Sequence, residues 1–181
     1  MTLDPGEVRL RAATATDARA VAEVHFAGWA WAYRGVLPDE VVSARTVEDR
    51  EGQWRVGFSS DRRDGGGGLV AEGPAGRIVG FAAFGPAAAE HAVDPPPRSG
   101  EVYAIYLLEE AAGRGIGRRL LSAAVDRLRD NGYDHAVLWV LATNSRARRF
   151  YERAGWHADG AVGRHRFECD ERPIVRYAIG I

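Results

Sequence analysis

The chain has 181 residues, of which 46% are hydrophobic and 27% are charged, and this is the composition of a folded globular protein rather than a disordered one. The 24 basic and 25 acidic residues leave a net charge of -1, so there is no overall positive field to hold nucleic acid or an anionic membrane. All basic residues are arginine, which excludes catalysis by a lysine, including Schiff-base chemistry and the P-loop lysine.

The single cysteine, Cys169, excludes an internal disulfide bond and a multi-cysteine metal site. No apolar run approaches the ~18 residues of a membrane span. The first ten residues lack the charged start and apolar core of a secretion signal. We therefore expect one cytoplasmic domain over residues 1–181, with no metal and with neither nucleic acid nor a membrane as partner.

The first half of the chain alternates strand and helix patterns. Residues 7–12 alternate in hydrophobicity, as a strand does, and apolar residues between positions 21 and 32 follow at helical spacing. A charged stretch from 38 to 58 indicates a second helical region. Residues 69–72 and 77–84 flank a Gly-Pro-Ala-Gly turn, which predicts a β-hairpin.

The second half has the order strand, helix, strand, helix, strand, strand. The predicted strands are 101–108, 134–141, 156–168 and 173–179, and the predicted helices are 117–131 and 145–154. A loop rich in Gly, Ala and Pro over 85–100 separates the two halves. Consecutive strands next to a strand–helix–strand–helix unit predict a mixed sheet with helices on both faces.

The strongest motif is the run Gly-Arg-Gly-Ile-Gly-Arg at 113–118, between a predicted strand and a predicted helix. Backbone N–H groups at such a junction bind anions, and glycines let phosphate oxygens approach closely. The dinucleotide fingerprint fails because Arg118 replaces its third glycine, and a P-loop would need a lysine. A phosphate cradle and a plain turn before a basic helix are the explanations that remain.

A second motif, Asn-Ser-Arg-Ala-Arg-Arg-Phe-Tyr-Glu at 144–152, follows the strand 134–141. Asn144 and Tyr151 are seven residues apart, so they lie on one helix face two turns apart. Asn144 can also cap the helix. Taken alone, Tyr151 is better explained as a core aromatic residue beside Ala147 and Phe150.

Together these motifs resemble a known family. The segment 100–156, GEVYAIYLLEEAAGRGIGRRLLSAAVDRLRDNGYDHAVLWVLATNSRARRFYERAGW, resembles the acetyl-CoA-binding core of the GNAT superfamily of N-acetyltransferases. Residues 13–54, with WAWAYRGVLPDE, are similar to a bacterial branch of it, and the closing VRY at 175–177 also fits. The resemblance implies a GNAT-like mixed, mostly antiparallel sheet of about seven strands, with a splayed parallel pair and helices on both faces.

The same resemblance implies where acetyl-CoA binds. Backbone of 105–107 would pair with pantetheine, loop amides would hold the pyrophosphate, and Asn144 would contact the pantetheine arm. The residues that it assigns to the cofactor are Ile105, Tyr106, Leu107, Ala112, Gly113, Arg114, Gly115, Ile116, Gly117, Arg118 and Asn144. Ala112 replaces the Gln or Arg usual in the family, and Glu109 and Glu110 place acid near the phosphates. Backbone amides do most of the cradling, so we expect binding to be retained.

Two residues are candidates for proton transfer. By the resemblance, Tyr151 sits beside the cofactor sulfur and Glu101 matches a position where some relatives have a general base. A tyrosine keeps its proton at pH 7 and can donate it to a thiolate, and a carboxylate can accept the amine proton. Regular alternation would place Glu101 on one face with Tyr103, Ile105 and Leu107. A solvated strand start would explain Glu101 equally well.

These motifs predict an N-acetyltransferase that passes the acetyl group of acetyl-CoA directly to a primary amine of a small molecule or protein, in a ternary complex. His25, Trp29 and Tyr33 are candidates for the acceptor pocket, although core packing explains them too. Cys169 lies outside the motifs and is an ordinary cysteine rather than a nucleophile in this interpretation. The alternatives are transfer of a longer acyl group and a non-catalytic acyl-CoA-binding or regulatory domain; a homodimer is an open alternative to a monomer.

Overall fold

The computed structural model describes residues 5–44, 46–59, 65–88, 94–167 and 171–181. Cys169 lies outside these residues, so the expectation for it stays a prediction. The strands are β1 (Arg9–Ala12), β2 (Gly67–Glu72), β3 (Ile78–Pro86), β4 (Ser99–Leu107), β5 (His135–Leu141), β6 (His157–Arg166) and β7 (Glu171–Gly180). The helices are α1 (Ala18–Tyr33), α2 (Asp39–Val42), α3 (Val47–Gly57), α4 (Ile116–Asp130) and α5 (Ser145–Arg153).

The strands form one seven-stranded sheet in the order β1-β2-β3-β4-β5-β7-β6. Neighbouring strands are antiparallel except β4 and β5, which are parallel. A parallel pair needs a long crossover, and α4 supplies it. The expected mixed, mostly antiparallel sheet of about seven strands is therefore confirmed.

Helices cover both faces of the sheet because the central strands are apolar on both sides. Along β2, Leu69 and Ala71 belong to the core shared with α4, whereas Val70 between them belongs to the core shared with α1 and α3. Strands with two buried faces appear as continuous apolar runs. The expected helices on both faces are confirmed, and α5 joins α4 on one of them.

The second helical region differs from the expectation, since it consists of two helices. Pro38 precedes the short α2, and Thr46 starts α3 by accepting a hydrogen bond from the amide of Asp49.

No helix in the described ranges is both long and apolar enough to cross a membrane.

An ionic cluster fixes the start of α1 to the sheet. The Arg11 guanidinium donates two hydrogen bonds of 2.8 Å to the carboxylate of Asp17 and one of 2.5 Å to Glu72. The amide of Thr14 also donates to Asp17 at 2.8 Å. The hydrogen bonds from Arg11 lower the pKa of the Asp17 carboxyl from 3.8 to about 2. This cluster joins β1, β2 and the N-terminus of α1.

Strand β4 does not alternate regularly, which corrects the expected common face of four residues. Ala83 of β3 pairs with Ala104, but the next residue, Phe84, pairs with Val102, so Tyr103 is the extra residue of a β-bulge. Val102 packs with Ile105 and Leu107 against α4 and α5. Because neighbours in a strand point to opposite faces, Glu101 lies on the α1 face, opposite Ile105 and Leu107.

Candidate active site

The site begins at a fork in the sheet. β4 and β5 are paired only from Ser99 to Glu101 on β4 and from His135 to Val137 on β5. Beyond the fork, β4 stays paired with β3 and β5 with β7, so a gap opens between β4 and β5. The amide of Leu108 donates to Val79 of β3. Since successive residues turn their N–H and C=O groups to opposite sides, those of Ile105 and Leu107 face the gap.

The glycine loop closes the end of this gap. Gly113 and Gly115 have φ angles of +74° and +79°, which favour glycine, and Gly115 is the N-cap of α4. The amide of Arg119 is the first in α4 to reach a helical acceptor, the carbonyl of Gly115 at 3.1 Å. The amides before it have no acceptor within their own helix. With the positive end of the helix dipole, they suit a phosphate group.

Two residues of the loop have structural roles in addition. The side chain of Ile116 is fully buried in the core, so only its backbone can serve a ligand. A Cβ atom on Gly117 would lie 3.0 Å from the Leu107 side chain. The absence of a side chain at Gly117 therefore lets α4 pack closely against β4.

Several charged side chains around the loop have partners within the protein. Arg119 donates to the carbonyl of Val8 at 2.8 Å, and Nε of Arg114 donates to the carbonyl of Glu110 at 2.9 Å. The carboxylate of Glu110 in turn pairs with Arg77 at 2.8 Å, which offsets the acid expected near the phosphates.

Helix α5 forms the opposite wall of the gap. The Oδ1 atom of Asn144 accepts a hydrogen bond of 3.1 Å from the amide of Ala147, which makes Asn144 the N-cap of α5. Because Oδ1 is used in this way, the side-chain NH₂ group is what Asn144 can offer to a ligand. Two turns later, Tyr151 faces the same gap and is 9% exposed.

The gap, the loop and the ends of α1 and α5 enclose a cavity of about 480 Å³. Its charged lining residues, among those described, are Arg118, Arg146 and Arg153, and a positive lining suits a ligand with phosphates. The full lining is Gly28, Trp31, Ala32, Tyr33, Val102, Tyr103, Ala104, Ile105, Tyr106, Leu107, Ala112, Gly113, Gly115, Gly117, Arg118, Trp139, Val140, Asn144, Arg146, Ala147, Phe150, Tyr151 and Arg153.

Four tyrosines line this cavity; Tyr103 is 45% exposed, and the other three converge on the cavity from both faces of the sheet. Tyr151 comes from the α5 face, and Tyr33 and Tyr106 come from the α1 face. Burial raises the pKa of each hydroxyl above its ordinary value of 10, most strongly at Tyr106. The pKa of Tyr151 is raised further by the proximity of Tyr33. All three phenols are therefore protonated, and able to donate, at neutral pH.

Glu101 lies at the fork itself, in the last pair of residues that joins β4 to β5, opposite Val137. It is 6% exposed and does not line the cavity, which begins at the next residue. Its side chain is on the α1 face, as are Tyr33 and Tyr106. Its role as a base stays a prediction.

Of the three acceptor-pocket candidates, one lines the cavity and two do not. Tyr33 lines the cavity, whereas His25 and Trp29 lie behind it and contact the ring of Tyr106, His25 by stacking at 4.7 Å. The sequence analysis missed the Tyr106 side chain, since only its backbone was assigned to the cofactor. It also missed that the side chain of Trp139 lines the cavity. No spacing rule identifies a single aromatic residue in an apolar strand as part of a site.

Another cleft, of about 710 Å³, lies between the start of α1 and the Gly65–Leu69 side of the sheet. Its described walls contain one ionisable side chain, Arg127, so it offers no group for proton transfer at neutral pH. Within the part of the chain that the structure describes, no cluster of three His, Cys, Asp or Glu residues could hold a metal ion.

Comparison with known proteins agrees with this geometry. Residues 28–156 match the Acetyltransferase (GNAT) family, and the chain belongs to that family. It is 32% identical over 137 residues, 76% of this chain and 73% of the relative, to YuaI of Bacillus subtilis (strain 168), an uncharacterized N-acetyltransferase. A shorter match is to the mycothiol acetyltransferase of Arthrobacter sp. (strain FB24), 36% identical over 111 residues, 59% of this chain and 33% of that protein.

Solved structures share the fold. The PaiA N-acetyltransferase of Thermoplasma acidophilum, in complex with coenzyme A, superposes with a TM-score of 0.69 at 16% identity, over 96% of this chain and 99% of that one. The expected GNAT resemblance is thus confirmed, and the protein is an acetyl-CoA-dependent acyltransferase.

Proposed function

We propose that this protein transfers the acetyl group of acetyl-CoA directly to a primary amine, with both substrates bound at once. The observation that supports this best is the cavity that passes through the gap between β4 and β5. The glycine loop lies at one end of this cavity, and Tyr151 is in its wall. Because the gap is open to both faces of the sheet, the two substrates can meet at it without a covalent enzyme intermediate.

The residues present fit acetyl-CoA. The amides of the glycine loop and Arg118 suit the pyrophosphate, and the gap-facing backbone of Ile105 and Leu107 suits the amides of pantetheine. The NH₂ group of Asn144 suits a pantetheine carbonyl. Ala112 lines the cavity with no polar side chain, so backbone donors supply the contacts at that point.

The chemistry requires a neutral amine, a donor for the developing oxyanion and a proton for the departing thiolate. Tyr151 is protonated and faces the gap, so it protonates or hydrogen-bonds the thiolate. Glu101 lies on the α1 face at the fork, so we assign to it acceptance of the amine proton, through water.

The acceptor is an amine of a small molecule or of a protein. The mycothiol acetyltransferase that this chain resembles does not decide the choice, because the match spans 33% of that protein. The described cavity lining contains arginines and aromatic side chains but no carboxylate, so a polycation has no ion-pair partner there.

The test is release of coenzyme A thiol from acetyl-CoA over a panel of amines that includes an arylalkylamine, an amino acid, a polyamine, an aminoglycoside and a peptide N-terminus. We expect amine-dependent thiol release with at least one member, together with a higher melting temperature in acetyl-CoA. Stabilisation by acetyl-CoA without thiol release from any amine would favour the alternative of a non-catalytic acyl-CoA-binding domain. Faster thiol release from a longer acyl-CoA than from acetyl-CoA would favour the alternative of a transferase for longer acyl groups.

A further inference from the structure

The cavity has two halves that lie on opposite faces of the sheet. Val140 of β5 packs into the core shared with α4 and α5, whereas Trp139 before it packs with Leu141 on the face that carries α1. Both residues line the cavity. The glycine loop begins α4, so in the proposed complex acetyl-CoA fills the half beside α4 and α5. The half on the α1 face is then left for the amine, and we call it the acceptor half.

Three aromatic residues from three different elements line the acceptor half, namely Tyr33 of α1, Tyr106 of β4 and Trp139 of β5. Tyr33 packs on Trp29 with 4.4 Å between ring centres, and Tyr106 packs on Phe81 at 6.0 Å. Each of the two tyrosine rings is therefore supported by a second ring. Aromatic side chains give a large apolar contact area and favour other rings in offset or edge-to-face arrangements.

The ring of Trp139 is supported by a buried arginine. Arg176 of β7 pairs with Trp139 in the strand register, is 7% exposed, and has its guanidinium carbon 5.6 Å from the centre of the Trp139 ring. The guanidinium donates to the carboxylate of Asp159 at 2.7 Å and to the carbonyl of Asp94 at 2.9 Å. These bonds fix the cation, and a fixed cation beside an aromatic ring is attracted to it. Trp139 is thus an ordered surface, and a ligand that packs on an ordered surface loses little affinity to rearrangement.

We propose that the acceptor is an arylalkylamine, a primary amine joined by a short alkyl linker to an aromatic ring, and that this ring packs against Tyr33, Tyr106 and Trp139. The proposal rests on the acetyl transfer proposed above. The linker carries the amine nitrogen from the ring to the thioester in the gap, and Trp139 determines specificity for the ring.

The charges around the cavity favour an aromatic ring over a cation as the group that these residues hold. Aromatic rings also bind ammonium groups. However, Arg118, Arg146 and Arg153 line the same cavity, and Arg176 lies behind Trp139. Positive charges repel a cation, whereas they leave a neutral ring unaffected. They also favour the neutral form of the amine, which is the form that attacks the thioester.

The kinetic test compares 2-phenylethylamine with 2-cyclohexylethylamine and spermidine in thiol release, with kcat/KM expressed per neutral amine. One aromatic pair contributes about 2- to 12-fold in affinity beyond the area buried. We therefore expect kcat/KM to be ~10-fold higher for the phenyl than for the cyclohexyl compound, and lowest for spermidine. Equal values for the two ring compounds in the wild type, or the highest value for spermidine, would overturn the proposal without any variant.

A pair of variants locates the preference. Trp139→Leu should lower kcat/KM for 2-phenylethylamine by ~10-fold and remove its advantage over 2-cyclohexylethylamine. Trp54→Leu is the matched control, because Trp54 packs on Phe58 at 5.2 Å on the same face of the sheet but does not line the cavity. It should lower the melting temperature and keep the preference. A preference that persists in Trp139→Leu would overturn the role of Trp139.

A binding test needs no acetyl transfer and so separates this proposal from the proposed function. With the protein saturated by coenzyme A, calorimetry measures the Kd of 2-phenylethanol and of 2-cyclohexylethanol, which keep the ring and linker of the two amines. We expect 2-phenylethanol to bind ~10-fold more tightly to the wild type and to Trp54→Leu, and to lose this advantage in Trp139→Leu. If no amine is acetylated but this difference is present, the proposed function fails while the aromatic pocket stands. If amines are acetylated but neither test favours the aromatic ring, the proposed function stands and the arylalkylamine proposal is overturned.

Discussion

Replacing Tyr151 by phenylalanine removes one hydroxyl from the wall of the gap and little else. The ring would keep its packing against Phe150, at 5.2 Å between ring centres, and against Tyr177, at 6.1 Å. Within the described part of the chain, the Tyr151 hydroxyl makes no hydrogen bond, so the folded state loses none in Tyr151→Phe. We therefore expect the melting temperature and the Kd for acetyl-CoA to stay nearly unchanged in Tyr151→Phe.

The expected loss in kcat follows from what the hydroxyl does to the departing sulfur. A hydrogen bond to a charged group contributes about 1.5–3 kcal/mol, and ~2.7 kcal/mol corresponds to a factor of ~10² in rate. Full proton transfer contributes about 10²–10⁴-fold. Because burial raises the pKa of Tyr151, it is a weaker acid than an exposed tyrosine, and this places the loss near 10²-fold. The raised pKa also means that ionisation of Tyr151 causes no fall in kcat below pH 10.

The assay is steady-state thiol release at saturating acetyl-CoA, with Tyr177→Phe as the control. Tyr177 is a buried tyrosine whose hydroxyl donates to Glu152 at 2.6 Å and accepts from Arg148, away from the cavity. Its loss should lower the free energy of unfolding by about 1–2 kcal/mol with kcat within about twofold of wild type. An unchanged kcat in Tyr151→Phe would refute the reasoning, since water or another group would then protonate the thiolate.

Three further substitutions test other parts of the structure. Gly115→Glu should abolish the rise in melting temperature caused by acetyl-CoA, because it adds bulk and negative charge at the proposed phosphate site. Gly132→Glu, at a similar φ of +86° with open space, should retain that rise, and equal behaviour of the two variants would contradict the phosphate assignment. Glu101→Gln should lower kcat/KM for the amine by ~10-fold or more below pH 8 and much less at pH 9–10, where free amine is abundant; an equal loss at every pH would indicate a positioning role. Asp17→Asn should lower the free energy of unfolding by about 2 kcal/mol at pH 7, because the folded-state pKa is about 2 against 3.8 unfolded. That contribution of Asp17 is present above pH 4 and is lost as the pH falls towards 2, so urea unfolding that showed the same difference at pH 7 and pH 3 would contradict it.

Much of the fold could be predicted from the sequence because it depends on local patterns. The glycine loop and Asn144 both follow strands that the apolar runs indicate, and parallel strands bring their carboxyl ends to one edge of a sheet. Chain order, with the parallel pair that the resemblance implies, therefore indicates that the amides of the glycine loop lie near the N-terminus of α5. The hairpin of β2 and β3 could also be predicted, because its turn residues are contiguous in the sequence.

The features that sequence analysis missed depend on contacts between distant segments. The bulge at Tyr103 comes from its register with β3, and nothing in the run Val-Tyr-Ala marks it. Arg50 lies in a highly charged segment and would be taken for a surface residue, yet it is buried against His25. The one signal for this contact was the spacing of His25, Trp29 and Tyr33 at four-residue intervals on one helix face.

The fork in the sheet explains how one structure can serve both substrates. After Glu101, each strand of the parallel pair keeps its outer neighbour, so the gap opens without loss of either strand. The gap-facing backbone groups of β4 then have no partner on β5. Polar groups that are buried without a hydrogen bond destabilise the folded state. In the proposed complex, the amides of pantetheine would pair with the backbone groups of Ile105 and Leu107 and so offset this destabilisation. In the proposed mechanism, the same gap brings the thioester sulfur to the hydroxyl of Tyr151.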